Sequence, residues 1–148
     1  MIRKLLVGYD GSDGSKLALK YAINLAKLTG ASLRALWVRG SLPHYPETVD
    51  EIEEEKSATD RYWMKLEAEI REMSAREGVE VQTDCRAGHP AKAIAEYAEE
   101  AGVDLIVLGN RGHSGLWGRF LGHTADRISE NAPCSVLIVR GNESREKK

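Results

Sequence analysis

One run constrains this chain more than any other: Leu105-Ile106-Val107-Leu108, four apolar residues with no polar break. A strand of that kind reads as buried on both faces, as in a parallel sheet covered by helices. Other strand-like segments recur along the chain, at Leu5–Tyr9, Ser32–Val38, Val79–Arg86 and Ser135–Val139. Helical patterns stand between them. Strand and helix thus alternate five times, which implies one α/β unit with helices on both faces and right-handed crossovers.

The helices declare themselves by spacing and by their ends. The first is expected from about Ser15 to Thr29, after the turn Asp10-Gly11-Ser12-Asp13-Gly14, with Ser12 or Asp13 as N-cap and Gly30 as the stop. Leu17, Tyr21, Leu25 and Leu28, with Ala18, Ala22 and Ala26, read as its apolar face. A long charged helix is expected over 47–77, with Trp63, Leu66, Ile70 and Met73 toward the core. Its early acids suit the positive end of the helix dipole and read as a solvated face. The alternation from Val79 to Arg86 predicts a strand near the sheet edge. Pro90 starts a third helix that Gly102 closes. His89, just ahead of it, reads as an N-cap or turn residue.

Directly after Leu108 come Gly109, Gly112, Gly115 and Gly118, and a helix is expected from about Gly122 to Asn131. Strand, glycine loop and helix start are the parts of an anion cradle. Glycine lets the backbone approach a ligand, and the first helical N–H groups are unpaired and favour negative charge. A flexible surface loop has the same composition, and both readings stand at this point. Three known patterns are excluded. No Gly-Lys-Ser/Thr triplet makes it a P-loop, the spacing is not that of the dinucleotide fingerprint, and Gly112-His113-Ser114-Gly115 is one residue short of a nucleophile elbow.

The spacing Gly109-x2-Gly112-x9-Gly122 resembles that of the ATP-binding universal stress proteins. So do Ile2–Ser12 as an opening strand and turn, Ala87-Gly88-His89-Pro90-Ala91, and the closing Asn131–Val139. One position departs: His123 follows Gly122 where the family usually has Ser or Thr, and Thr124 comes next. The resemblance implies an open five-stranded parallel sheet of order 3-2-1-4-5, Rossmann-like, with the C-terminal edge strand pairing in a homodimer. It implies an adenine nucleotide, ATP, with Mg²⁺ or Mn²⁺ held through the phosphates. The cofactor-binding set would be Asp10, Gly11, Ser12, Val38, Gly88, Gly109, Arg111, Gly112, Gly122, His123 and Thr124. Asp10 and the backbone near Val38 would face the base, Gly109 the ribose, and Gly112, Gly122, His123 and Thr124 the phosphates. A regulatory protein of the stress response is the expected function. The alternatives are a slow ATPase or phosphotransferase, and a nucleotide-free member that dimerises or binds an unknown protein partner. No carboxylate stands out as a catalytic base.

Composition bounds the rest. At 148 residues, one domain over 1–141 with a charged, flexible tail over 142–148 is expected. A formal net charge of −2 supplies no general drive toward nucleic acid or acidic membrane. No apolar run approaches the roughly 20 residues of a membrane span, and no signal peptide is evident, so a cytoplasmic location is expected. Cys85 and Cys134 lack metal or redox spacing and read as buried or half-buried thiols.

Overall fold

The computed structural model describes residues 1–40, 48–110 and 127–141. The elements run β1 (Lys4–Gly8), α1 (Asp13–Thr29), β2 (Ser32–Arg39), α2 (Val49–Glu77), β3 (Val81–Ala87), α3 (Pro90–Ala101), β4 (Leu105–Gly109), helical residues 127–131, and β5 (Ser135–Val139). The five strands form one sheet in the order β3-β2-β1-β4-β5, and every pairing is parallel. This is the expected order. The tail at 142–148 lies outside the described residues.

The apolar strands earn their central places. In β4 all five residues are buried, and in β1 Leu5, Leu6 and Val7 are. Alternate side chains feed two cores. Leu5, Val7, Leu33, Ala35, Leu105 and Val107 pack with α1 and α2. Leu6, Leu36, Val38, Ile106 and Leu108 pack with α3 and Ile128 on the opposite face. The alternating strand β3 is an edge, with no residue fully buried. At the opposite edge, β5 is half-buried along Val136–Ile138 and pairs with β4.

The helix signals are largely realised. Ser12 caps α1, its hydroxyl accepting from the Ser15 amide at 3.2 Å, and Gly30 ends the helix in the left-handed conformation. Thr48 caps α2, so that helix starts two residues later than its charge pattern suggests. Leu66, Ile70 and Met73 are buried, and Trp63 is half-buried beside them.

The apolar face of α1 holds for Ala18, Ala22 and Ala26, which are buried as expected, and needs correction for its larger side chains. Its buried stripe is Ser15, Ala18, Leu19, Ala22, Ile23 and Ala26. Tyr21 is 50% exposed and Leu28 is 75% exposed, while Leu17 and Leu25 pack only at the margin. The helix carries two adjacent apolar stripes, and the one with the smaller side chains faces the sheet. Alanines bring the helix axis closer to β1 and β4 than a leucine row would allow.

Candidate functional site

In this order the chain leaves β1 toward β2 on one side and reaches β4 on the other. The crevice beyond the carboxyl ends of β1 and β4 is therefore the switch point at which open α/β sheets bind ligands. A cleft occupies it. The walls come from Gly8–Asp10 after β1, Leu36–Val38 at the end of β2, Leu108–Gly109 at the end of β4, Ser15 of α1, and Pro90 and Ile94 of α3.

Most of this wall is apolar, and Asp10 is its acid. The residue is only 5% exposed. Its Oδ1 accepts from the Ser12 amide at 2.9 Å, and its own amide donates to Ser15 Oγ at 3.3 Å. The Ser15 hydroxyl donates in turn to the Ser12 carbonyl at 3.0 Å. Strand end, turn and first helical turn are thus locked by short local bonds. The lock holds a carboxylate beside a helix start, where the dipole favours it. From the other side, the Tyr62 hydroxyl of α2 donates to the Asp10 carbonyl.

Glycine is required at two places here. Gly11 has φ +84°, and a Cβ on it would lie 2.8 Å from Leu66 Cδ2. At Gly109 a Cβ would come within 2.5 Å of the Gly14 carbonyl oxygen. The end of β4 therefore abuts the backbone at the start of α1, and any side chain there would push the two apart.

Of the expected site residues, the structure brings Asp10, Val38 and Gly109 into one cleft. Gly11 and Ser12 build the turn beneath it, and the Ser12 hydroxyl is committed to the α1 cap. Gly88 lies in the β3–α3 turn, its amide donating to the Arg39 carbonyl at 2.9 Å. His89 is the α3 N-cap residue, without a side-chain capping bond. Its Nε2 lies 3.4 Å from Arg127 Nη1 and accepts there, because a guanidinium can only donate. Arg111, Gly112, Gly122, His123 and Thr124 lie outside the described residues.

Sequence reasoning missed Ser15, Trp37 and Tyr62. Ser15 was three residues after a recognised cap and could have been found as its bonding partner. Trp37 was visible only as a strand residue. Tyr62 is 52 positions from Asp10 and left no local signal.

Two phenols stand behind the acid. Burial, then the Glu69 carboxylate, pushes Tyr9 well above the ordinary tyrosine range, and Tyr9 Oη donates to Glu69 Oε1 at 3.5 Å. Burial, then Asp10 and Glu69, raises Tyr62. Both phenols therefore stay protonated at neutral pH and act as donors. Among the described residues no group of three or more His, Cys, Asp or Glu side chains could hold a metal ion. No described helix is long and apolar enough to cross a membrane.

The model of the Universal stress protein family matches residues 1–140. The chain belongs to the universal stress protein family. Universal stress protein YxiE of Bacillus subtilis is 38% identical, over 95% of this chain and 100% of that protein. UspA from Lactobacillus plantarum superposes with a TM-score of 0.80 at 26% identity, covering 94% of this chain and 98% of the other. A universal stress protein solved in complex with cAMP superposes with a TM-score of 0.69 at 25% identity, covering 93% and 97%. An Arabidopsis thaliana family protein with AMP bound shares the fold, with a TM-score of 0.65 at 15% identity, covering 97% and 94%.

Proposed function

We propose that this universal stress protein is an adenine-nucleotide-binding regulatory protein that works as a homodimer, with ATP as its ligand. The observation that carries the reading is the buried Asp10 carboxylate in an apolar cleft at the switch point, where Gly109 packs on the Gly14 backbone. An aromatic base would lie on the apolar surface of Val38, Pro90, Ile94 and Leu108, and Asp10 would offer an acceptor for its amino group or for a ribose hydroxyl. The cAMP complex of a relative supports an adenine ligand. Gly112, Gly122, His123 and Thr124 would supply donors to the phosphates, with Arg111 adding charge. Mg²⁺ or Mn²⁺ would be held through those phosphates, since oxygen-rich phosphates suit hard cations. The apolar edge strand β5 would pair with its copy in a second chain, which removes an exposed sheet edge.

Calorimetric titration of AMP, cAMP and MgATP into the wild type and Asp10→Asn tests the reading. Micromolar binding that weakens about tenfold or more in Asp10→Asn is expected, as befits a buried charged acceptor. Absence of binding to the wild type would point to the nucleotide-free alternative. Sedimentation at micromolar concentration tests the dimer, and a monomer there would remove that claim.

A further inference from the structure

The turn that carries Asp10 has the cleft on one side and α2 on the other. The Tyr62 hydroxyl donates to the Asp10 carbonyl. Toward α2, a Cβ on Gly11 would end 2.8 Å from Leu66 Cδ2 and 3.0 Å from Tyr62 Oη, so the turn lies flat on that helix. The second wall of the cleft rests on the same helical turn. Trp37, beside Val38, meets Tyr62 edge-on at 5.2 Å between ring centroids and stacks on Trp63 at 5.9 Å. About two turns beyond Tyr62, Glu69 faces Tyr9 and the Lys16 ammonium, the latter at 3.7 Å. Two cleft walls from separate strands thus share a single support. From 49 to 61, α2 is mostly exposed, so its firmest anchorage begins at this contact.

We propose that Tyr62 is a positioning residue for the Asp10 turn, and that α2 responds to occupancy of the cleft through this contact. The inference rests on the nucleotide reading for its ligand, but the positioning role does not. A hydroxyl holding the carbonyl fixes the turn and therefore the direction of the carboxylate. A ligand that draws on the carboxylate tightens the same turn, and by linkage a firmer turn favours the ligand.

The test compares wild type, Tyr62→Phe and Ile70→Val, the last a core change on the same helix that does not touch the turn. Three quantities are measured: exchange of the Ser12 amide without ligand, affinity for AMP, and AMP-induced protection of amides 60–66 and of the ends of β1 and β4. In Tyr62→Phe the Ser12 amide, which donates to Asp10 Oδ1, is expected to exchange several-fold faster. AMP affinity is expected to fall about fivefold, the scale of one net hydrogen bond. Protection of 60–66 should vanish while that at the ends of β1 and β4 persists. Ile70→Val should leave all three as in the wild type. Unchanged Ser12 exchange in Tyr62→Phe overturns the positioning role whether or not a nucleotide binds. Equal loss in Ile70→Val reduces the effect to stability and also overturns it. MgATP replaces AMP if AMP does not bind; failure of the wild type to bind AMP, cAMP and MgATP alike overturns the nucleotide reading and the α2 response together, and Ser12 exchange still decides what Tyr62 does.

Discussion

The two ends of the sheet each carry an aspartate beside a strand, and they use it in opposite ways. At the amino end, Asp104 precedes β4 and its Oδ2 accepts from the amides of Arg3 and Lys4 at 2.8 and 2.9 Å. Lys4 Nζ donates to the Ala101 carbonyl at 3.1 Å, closing the same corner. These backbone amides hold the Asp104 carboxyl below its usual range. At the carboxyl end, Asp10 is buried and stands in the wall of an apolar cleft. The amino end uses its acid to seal a strand start, in water. The carboxyl end keeps its acid at a crevice between diverging crossovers. The topology makes the difference, because the chain leaves β1 toward β2 and β4 toward β5, in opposite directions across the sheet.

The carboxyl end is most vulnerable at Gly109. Gly109→Val puts a side chain against the Gly14 backbone, which cannot rotate away. We expect a loss of about 3 kcal/mol in denaturant unfolding, together with loss of nucleotide binding. A stable, ligand-competent variant would show that the carboxyl end is looser than its packing indicates. Ser12→Ala comes next. The cap it removes also sets the Asp10 turn, and about 1 kcal/mol is expected. Thr48→Ala, at the exposed start of α2, should cost only a few tenths of that scale. Equal costs would place both caps in equally rigid surroundings. Asp104→Asn keeps an acceptor at a half-buried site and should lower the melting temperature by less than Ser12→Ala does.

The pH limbs sharpen the contrast further. Asp104 is held low, so the fold favours its charged form. Its contribution is present above the ordinary carboxylate range, near pH 4, and fades as pH falls through the lowered value. Asp104→Asn should therefore flatten the acid limb of the stability profile. Tyr9 and Tyr62 are held high, so the fold favours their neutral forms. Their contribution is intact below about pH 10 and is lost as pH rises beyond it. Tyr9→Phe should flatten the alkaline limb and leave the acid limb alone. A mutant that moves the opposite limb would tie the two ends together.

Much of the fold was legible because its signals are local. Leu105–Leu108 announced a central strand, Val79–Arg86 an edge, and Gly30 and Gly102 two helix ends, all of which the structure shows. Ala18, Ala22 and Ala26 were rightly placed in the buried stripe of α1, but its large members were misjudged because Leu17, Tyr21, Leu25 and Leu28 are the more hydrophobic row. Hydrophobicity ranks stripes by transfer free energy, whereas close packing on β1 and β4 selected the row with the smaller side chains. At the site, Asp10, Val38 and Gly109 were each placed at a strand end by pattern and resemblance. Their convergence followed from strand order.

Local sequence accounts for the alternation of strand and helix, the caps, the edge strand β3 and the glycines that shape the turns, since each depends on residues a few positions apart. Long-range packing explains why Gly109 must be glycine, with Gly14 against it, and why Tyr62 holds the Asp10 carbonyl. Those contacts join residues 95 and 52 positions apart, between elements whose spacing is set by the packing of the whole sheet.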